Sequence, residues 1–151
     1  MDFAYNDEQK EIIKVVRDLV EKEIVPYAGE MDETGKLHEG LLEKLAAQGL
    51  LGVAIPEEFG GAGLDAITIA AIYEELGKGC AGVATTVAAN ALASYPVIIA
   101  GNDDQKKRYF DIINQDNLAA FALTEPGTGS DAGSVSTRAV KTEDGKGYIL
   151  N

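Results

Sequence analysis

The chain has 151 residues, of which 46% are hydrophobic, enough to fill the core of one domain and to begin a second. Its 25 acidic and 13 basic residues give a net charge of −12. This balance argues against binding to nucleic acid or to an anionic membrane, since both require a positively charged surface. We therefore expect any anionic ligand to be held by local hydrogen-bond donors.

Cysteine and histidine are scarce, which narrows the chemistry. Cys80 is the single cysteine and His38 the single histidine, so the sequence supports neither an internal disulfide nor a His/Cys metal cluster. We expect Cys80 to be a small buried residue and His38 a solvated one. The first residues, 1–3, lack the basic and apolar regions of a signal peptide, which predicts a reducing, intracellular setting.

The first half of the chain has the period of amphipathic helices. Asn6, followed three residues later by Gln9, has the form of a capping box and opens a helix that runs to Pro26. A polar connection follows. A second, shorter helix then begins at Leu41 and is ended by Gly49.

Glycines and helix caps mark the next elements. Residues 56–63 contain Pro56 and three glycines, which predict a loop. Asp65 caps a third helix, ended by Gly77 and Gly79. Residues 82–93 carry no charge, which predicts a buried helix whose small side chains either allow close packing or leave room for an apolar ligand; packing is the default.

A last helix and then strands complete the pattern. Asn102 or Asp103 caps a polar helix that ends at about residue 114. From residue 118 the pattern changes: 118–123 is predicted to be a buried strand, and 135–141 and 148–150 two further strands. Residues 143–147 read as the turn of a hairpin between the last two.

These elements predict an α+β multidomain fold. An all-α helical domain spans residues 1–117, and the first strands of an antiparallel β-barrel domain span 118–151. Three short strands neither close a barrel nor cover a sheet, so we expect the chain to be a fragment of a longer protein.

The join between the two domains carries the candidate ligand loop. Gly127 and Gly129 let the backbone approach a ligand closely and expose amide donors. Thr124, Thr128 and Ser130 add hydroxyl groups, a combination suited to a phosphate or to the polar edge of a heterocycle. On spacing alone, a plain β-turn accounts for the same residues equally well.

Two common nucleotide motifs are excluded. A nicotinamide dinucleotide fingerprint needs G-x-G-x-x-G between a strand and a helix, whereas position 132 is alanine and a predicted strand follows. No Gly-Lys-Ser/Thr follows the glycines, so the phosphate-binding loop of nucleotide hydrolases is absent as well.

Four stretches together resemble the N-terminal part of the acyl-CoA dehydrogenase family. The Leu-Thr-Glu-Pro-Gly-Thr-Gly-Ser-Asp run at 123–131 is specific to that family. Residues 56–63 are similar to its loop after the second helix, 101–109 to its helix before the β domain, and 147–151 to a strand of that domain. The resemblance covers essentially the whole chain.

The resemblance implies an FAD flavoprotein of three domains, with a C-terminal helical bundle absent from this chain. Phe121, Leu123 and Thr124 would then lie against the flavin. Gly129 and Ser130 would meet the FAD pyrophosphate, and Ser130 would also touch the acyl-CoA substrate. No catalytic residue and no metal ligand is expected within the chain, since in the family the base is a glutamate of the C-terminal part and Glu125 is not that base.

The same resemblance implies an activity. The parent protein would oxidise an acyl-CoA to a trans-2-enoyl-CoA with hydride transfer to flavin N5, and the fragment alone would be inactive. The uncharged helix is similar to the one that lines the acyl pocket, which favours a short straight chain. A homotetramer, an electron-transfer flavoprotein as partner, a role in fatty acid metabolism and a cytoplasmic location are further expectations.

Other functions stay open at this stage. Within the family, an enoyl-CoA reductase would run the same step backwards, and an acyl-CoA oxidase would pass the electrons to oxygen. From a different class, a non-catalytic helical binding module would keep the fold without the chemistry. Binding of FAD and the downstream glutamate would distinguish the enzymes from the module.

Overall fold

A computed structural model describes residues 4–114 and 117–151 of the chain. The first residues, 1–3, on which the prediction of no signal peptide rests, lie outside the described residues. The chain divides into two compact units, unit 1 ending at Ala120 and unit 2 spanning Phe121–Asn151. This division falls three residues beyond the boundary that the sequence predicts.

Unit 1 is helical. Its α-helices among the described residues are α1 (Asp7–Leu19), α2 (Ala28–Thr34), α3 (Leu41–Ala47), α4 (Ala66–Gly79), α5 (Ala81–Ala100) and α6 (Asp103–Ile113). Short 3-10 turns at Leu50–Gly52 and Glu57–Phe59 shape the loop between α3 and α4.

The predicted capping box at the start of α1 is confirmed. The Asn6 carboxamide oxygen accepts the Gln9 amide at 2.8 Å, and the Asn6 amide donates to Gln9 Oε1 at 3.1 Å. Past α1, the chain continues as a π-helical turn, Val20–Ile24, and a 3-10 turn, Val25–Tyr27. The polar connection expected after Pro26 is instead the helix α2.

The core of unit 1 forms where α1, α4 and α5 pack together, with α3 closing one side. Ile24, Leu45, Leu76 and Val83 have no exposed surface in it. At the end of α4, Gly79 lies against the π-helical turn: a Cβ there would stand 2.6 Å from Val20 Cγ1. The absence of a side chain at this position is what allows the close approach.

Helix α5 differs from its prediction in length and in burial. It runs through Pro96 to Ala100 rather than ending near residue 93, and within the predicted range 82–93 one face is open, with Leu92 50% exposed. The expectation of a buried helix is therefore wrong for that face, because a lack of charge reports composition and not contact. By length and hydropathy α5 would suffice to cross a membrane, as many core helices of soluble domains would, and it carries the buried polar residues Asn90 and Ser94.

Helix α6 begins as the sequence predicts. Asn102 accepts the Gln105 amide at 2.9 Å, and Gln105 Oε1 accepts the Asn102 amide at 2.9 Å. The helix buries Phe110 and Ile113 beside Ile55 in a second, smaller apolar cluster.

Unit 2 contains a two-stranded antiparallel hairpin of β1 (Ala139–Lys141) and β2 (Tyr148–Leu150). Val140 pairs with Ile149, and the turn between the strands places Gly145 at φ 69°, which confirms the predicted hairpin. Strand β1 is shorter than the predicted 135–141, since the amides of Ser136 and Thr137 donate to Glu125 rather than to a neighbouring strand.

The buried strand predicted at 118–123 is wrong. In the structure these residues have no regular secondary structure, and the large side chains among them are about half exposed. An apolar run forms a strand only when a neighbouring strand accepts its backbone hydrogen bonds. None of the described residues offers such an edge to 118–123.

Candidate functional site

A tight turn organises the candidate loop in unit 2. The Glu125 amide donates to the Thr128 carbonyl and the Thr128 amide to the Glu125 carbonyl, both at 3.0 Å. Pro126 and Gly127 occupy the two middle positions, where a fixed φ and a missing side chain favour chain reversal. The turn that the sequence allows is therefore present.

A second set of contacts holds the rest of the loop. Thr128 is buried, and its hydroxyl donates to the Ser134 carbonyl at 3.2 Å. The Ser134 amide donates to the Asp131 carbonyl at 3.0 Å, and the Ser134 hydroxyl donates to the Asp131 carboxylate. Thr128 is thus a structural residue, and its hydroxyl is already engaged by the protein.

Glu125 fastens the loop to the chain that follows it. Its Oε2 accepts the Ser136 amide at 2.9 Å and the Ser136 hydroxyl at 2.6 Å, and its Oε1 accepts the Thr137 amide at 2.8 Å. These bonds, those from Ser136 first, lower the pKa of Glu125 to about 2. A carboxylate of such low basicity is poorly suited to remove a proton at neutral pH.

The predicted cofactor residues on this loop present donors that the protein leaves free. Among the described residues, none accepts a hydrogen bond from the hydroxyls of Thr124 and Ser130 or from the backbone amides of Gly129 and Ser130. A Cβ built at Gly129 would meet no atom within 4 Å, so the space before this backbone is open. A loop with several free donors and open space suits a phosphate or a polar ring edge.

The other two predicted cofactor residues are apolar and partly open. Phe121 is 39% exposed and Leu123 is 43% exposed, and both precede the tight turn in chain order. All five predicted residues therefore belong to one continuous stretch of unit 2, the apolar ones before the turn and Gly129 and Ser130 after it. The role of each in binding FAD stays a prediction.

Two features of the region escaped sequence reasoning. The bonds from Ser136 and Thr137 to Glu125 join residues more than ten positions apart, and no periodicity signals such a contact. Asn90, buried in α5, reaches the backbone of Asn117 and Ala119 just before the candidate stretch. The available signal for the Asn90 contacts was a carboxamide in a helix made mostly of small and apolar residues.

Within the described residues, no group of acidic, histidine or cysteine side chains is placed to hold a metal ion.

A comparison with protein families identifies the helical unit that precedes the candidate loop. The family model of the acyl-CoA dehydrogenase N-terminal domain matches residues 6–115. The chain belongs to this family, which confirms the resemblance seen in its sequence.

Known proteins match over nearly the whole chain. A 3-(aryl)acrylate reductase of Clostridium sporogenes is 43% identical over 148 residues, covering 95% of this chain and 38% of that protein. The structure of butyryl-CoA dehydrogenase from Megasphaera elsdenii superposes with a TM-score of 0.84 at 35% identity, covering 100% of this chain and 40% of the other. An acyl-CoA dehydrogenase complexed with FAD from Bacillus anthracis gives a TM-score of 0.83 at 37% identity, covering 97% of this chain and 26% of the other.

These matches confirm the predicted fold class, a helical N-terminal domain followed by the start of a β domain. The chain spans 38% of the length of the curated relative and 40% of the butyryl-CoA dehydrogenase.

Proposed function

We propose that this chain is the N-terminal part of an FAD-dependent acyl-CoA dehydrogenase, an oxidoreductase that converts an acyl-CoA to a trans-2-enoyl-CoA. The observation that carries the proposal is the loop with free donors at Thr124, Gly129 and Ser130. Family membership and a related structure that contains FAD support the same assignment.

The donor set of this chain fits FAD. Amides and hydroxyls at Gly129 and Ser130 would hold the pyrophosphate, and the Thr124 hydroxyl and nearby backbone would bind the polar edge of the ring. The partly exposed side chains of Phe121 and Leu123 would cover an apolar part of the flavin. When bound, the flavin supplies the hydride acceptor.

The base that removes the substrate α-proton is assigned outside this chain. Within unit 2, Glu125 uses both carboxylate oxygens to fix the loop, and the low pKa of its carboxyl makes it a weak base. This chain would thus orient the cofactor and contribute to substrate binding through Ser130, and the complete protein would supply the base. We accordingly expect residues 1–151 alone to be inactive.

A reductase is the second candidate, because the Clostridium sporogenes relative is named as one. An enoyl-CoA reductase uses the same groups in the opposite direction, and an oxidase differs from both in the electron acceptor.

A short straight acyl chain is part of the primary proposal, supported by the butyryl-CoA dehydrogenase match. An electron-transfer flavoprotein partner, a tetrameric assembly, fatty acid metabolism and a cytoplasmic location complete it.

The test is an absorbance spectrum of the complete parent protein as purified, followed by anaerobic titration with butyryl-CoA, longer acyl-CoAs and an arylpropionyl-CoA. We expect a flavin spectrum that bleaches with one substrate class. Reoxidation of dithionite-reduced enzyme by the matching enoyl-CoA, without bleaching by any acyl-CoA, would favour the reductase. A colourless protein that takes up no added FAD would refute the flavoenzyme proposal and leave the helical binding module.

A further inference from the structure

Asn90 is a fully buried carboxamide in the middle of α5 whose hydrogen bonds all lead out of its own helix. Its Oδ1 accepts the Ala119 amide at 2.7 Å. Its Nδ2 donates to the Leu51 carbonyl and to the Asn117 carbonyl, each at 3.3 Å. One side chain, 0% exposed, therefore joins three segments of unit 1: α5, the turn after α3 and the backbone that follows α6.

Further contacts fix the same stretch of backbone. Asn117 Nδ2 donates to the Ile112 carbonyl at 2.7 Å, which ties the stretch to the end of α6. The Ala119 side chain packs on the apolar cluster that contains Phe110. Ala119 lies two residues before Phe121, where the candidate cofactor stretch begins. Since a residue spans at most about 3.6 Å of chain, an anchor at Ala119 restricts Phe121 to within about 7 Å of it.

We propose that Asn90 is a positioning residue for the cofactor site: by holding Asn117 and Ala119 it sets the path along which the chain enters the Phe121–Thr124 stretch. This inference rests on the proposed function. The chemistry explains the choice of residue, because a carboxamide is a neutral group that offers an acceptor and two donors in one plane. Aspartate has no donor when it is ionised, and leucine, of similar size, has neither a donor nor an acceptor.

The test replaces Asn90 with Asp in the complete parent protein. Asn90→Asp keeps the shape and the acceptor for the Ala119 amide, but it turns a carboxylate oxygen toward the Leu51 and Asn117 carbonyls. We expect the FAD dissociation constant to rise roughly tenfold at alkaline pH and to recover as the pH falls, since the protonated carboxyl donates to one of the two carbonyls.

Ser94→Ala is the matched control. Ser94 is equally buried and lies one turn further along α5, but its hydroxyl donates to the Asn90 backbone carbonyl at 2.7 Å, lies 3.4 Å from the Tyr109 hydroxyl and makes no hydrogen bond with the described residues 117–119. We expect its FAD affinity to stay within about twofold of wild type at every pH. If Asn90→Asp does not fold, Asn117→Ala replaces it: Asn117 is exposed, and this change removes the bond to Ile112 that holds the same backbone.

Hydrogen exchange on the same variants separates the possible outcomes. Faster exchange at the amides of Ala119 and 121–124 together with weaker FAD binding, both absent in Ser94→Ala, would support the inference. Unchanged exchange at these amides would overturn it. Faster exchange combined with an FAD affinity equal to that of Ser94→Ala would overturn it as well. A wild-type parent that binds no FAD would overturn the proposed function and this cofactor role together, whereas a wild type that binds FAD beside an unaffected Asn90→Asp would overturn this inference alone.

Discussion

Glu75 is a carboxylate buried within a helical core, and its neighbours keep it ionised. Its side chain is 6% exposed and accepts two hydrogen bonds from Arg17, at 2.8 and 3.1 Å, and one from Lys78 at 2.7 Å. These bonds, the one from Arg17 first, lower the pKa of Glu75 to about 2 against the opposing effect of burial. The contact joins α1 to α4 across the core.

Replacing Glu75 with Gln should destabilise unit 1. The glutamine amide has the volume of the carboxylate, but its NH2 group is a donor and faces the side chains of Arg17 and Lys78, which need acceptors. We expect a loss of about 1–2 kcal/mol in the free energy of unfolding, less than for a fully buried pair because Arg17 is 51% exposed and water reaches it. Urea denaturation measures the loss. Glu74→Gln is the control, since Glu74 is 64% exposed and forms its ion pair with Lys78 at the surface, and equal losses in the two variants would contradict the assignment.

The Glu75 pair also predicts a pH dependence. The folded-state pKa of about 2 lies below the unfolded value of about 4.3, so the contribution of Glu75 is complete above the unfolded value. It is lost as the pH falls through the interval between the two. The difference in stability between wild type and Glu75→Gln should shrink over this interval, and a difference that stays constant with pH would refute the prediction.

Glu125, in the loop of unit 2, also has a lowered pKa, so its contacts should likewise be lost at low pH. Glu125→Gln replaces one of the two carboxylate oxygens that accept the Ser136 and Thr137 amides with a donor, so we expect roughly tenfold faster hydrogen exchange at one of those two amides near neutral pH. In the wild type this protection should fade as the pH falls toward about 2, where the carboxylate is protonated. Glu143→Gln, at an exposed position outside these contacts, should leave both amides unchanged.

At the scale of elements, the close approach of α4 to the π-helical turn depends on Gly79. An added Cβ would stand 2.6 Å from Val20 Cγ1 and 3.1 Å from Ile24 Cγ2. Gly79→Ala should therefore lower the free energy of unfolding by about 1 kcal/mol, because the overpacking cost of about 1–3 kcal/mol exceeds the helix propensity gained. The midpoint of urea unfolding reports it.

Gly29→Ala is the matched comparison. Gly29 lies inside α2, and a Cβ there would meet nothing within 4 Å. Alanine should stabilise the protein by about 0.5–1 kcal/mol through its higher helix propensity and the smaller entropy of the unfolded chain. Two variants of the same chemistry should thus shift stability in opposite directions. A stabilising Gly79→Ala would show that α4 can move away from Val20 at little cost.

Local signals made some elements predictable and left others hidden. Asn6, Asp65 and Asn102 each cap a helix by contacts within three residues. The sequence predicts the first two caps, and it offers Asn102 as one of two candidates for the third. Helix α2 was missed because its short sequence is polar and contains Gly29. The strand expected at 118–123 was wrong because a strand depends on a partner that local sequence does not specify.

The candidate loop shows the same division between local and distant information. Pro126 and Gly127 predict the turn, since their conformational preferences are intrinsic. The anchoring of Glu125 by Ser136 and the hold of Asn90 on Ala119 depend on residues that only the fold brings together. The sequence therefore indicates where the turn forms, and the structure shows which donors of the loop are free and what holds the loop in place.

At the scale of the whole molecule, the burial of hydrophobic side chains among the described residues is confined to one of the two units. Every buried hydrophobic residue among the described parts of the chain lies in unit 1, whereas the strands of unit 2 are exposed along their length. A hairpin of two three-residue strands is not stable in isolation. Unit 1 should therefore fold independently, and the stability of the chain should be that of unit 1.

A chain of residues 1–120 should accordingly keep its helical circular dichroism and unfold cooperatively, with a thermal midpoint within about 5 °C of the complete chain. A chain of residues 1–116 provides the control. It lacks Asn117 and Ala119, so Asn90 loses two of its three partners inside the core, and we expect a loss of about 1–3 kcal/mol. Equal midpoints for the two shortened chains would show that the bonds of Asn90 do not stabilise unit 1. A non-cooperative transition for residues 1–120 would show that the helical core needs more of the chain than it contains.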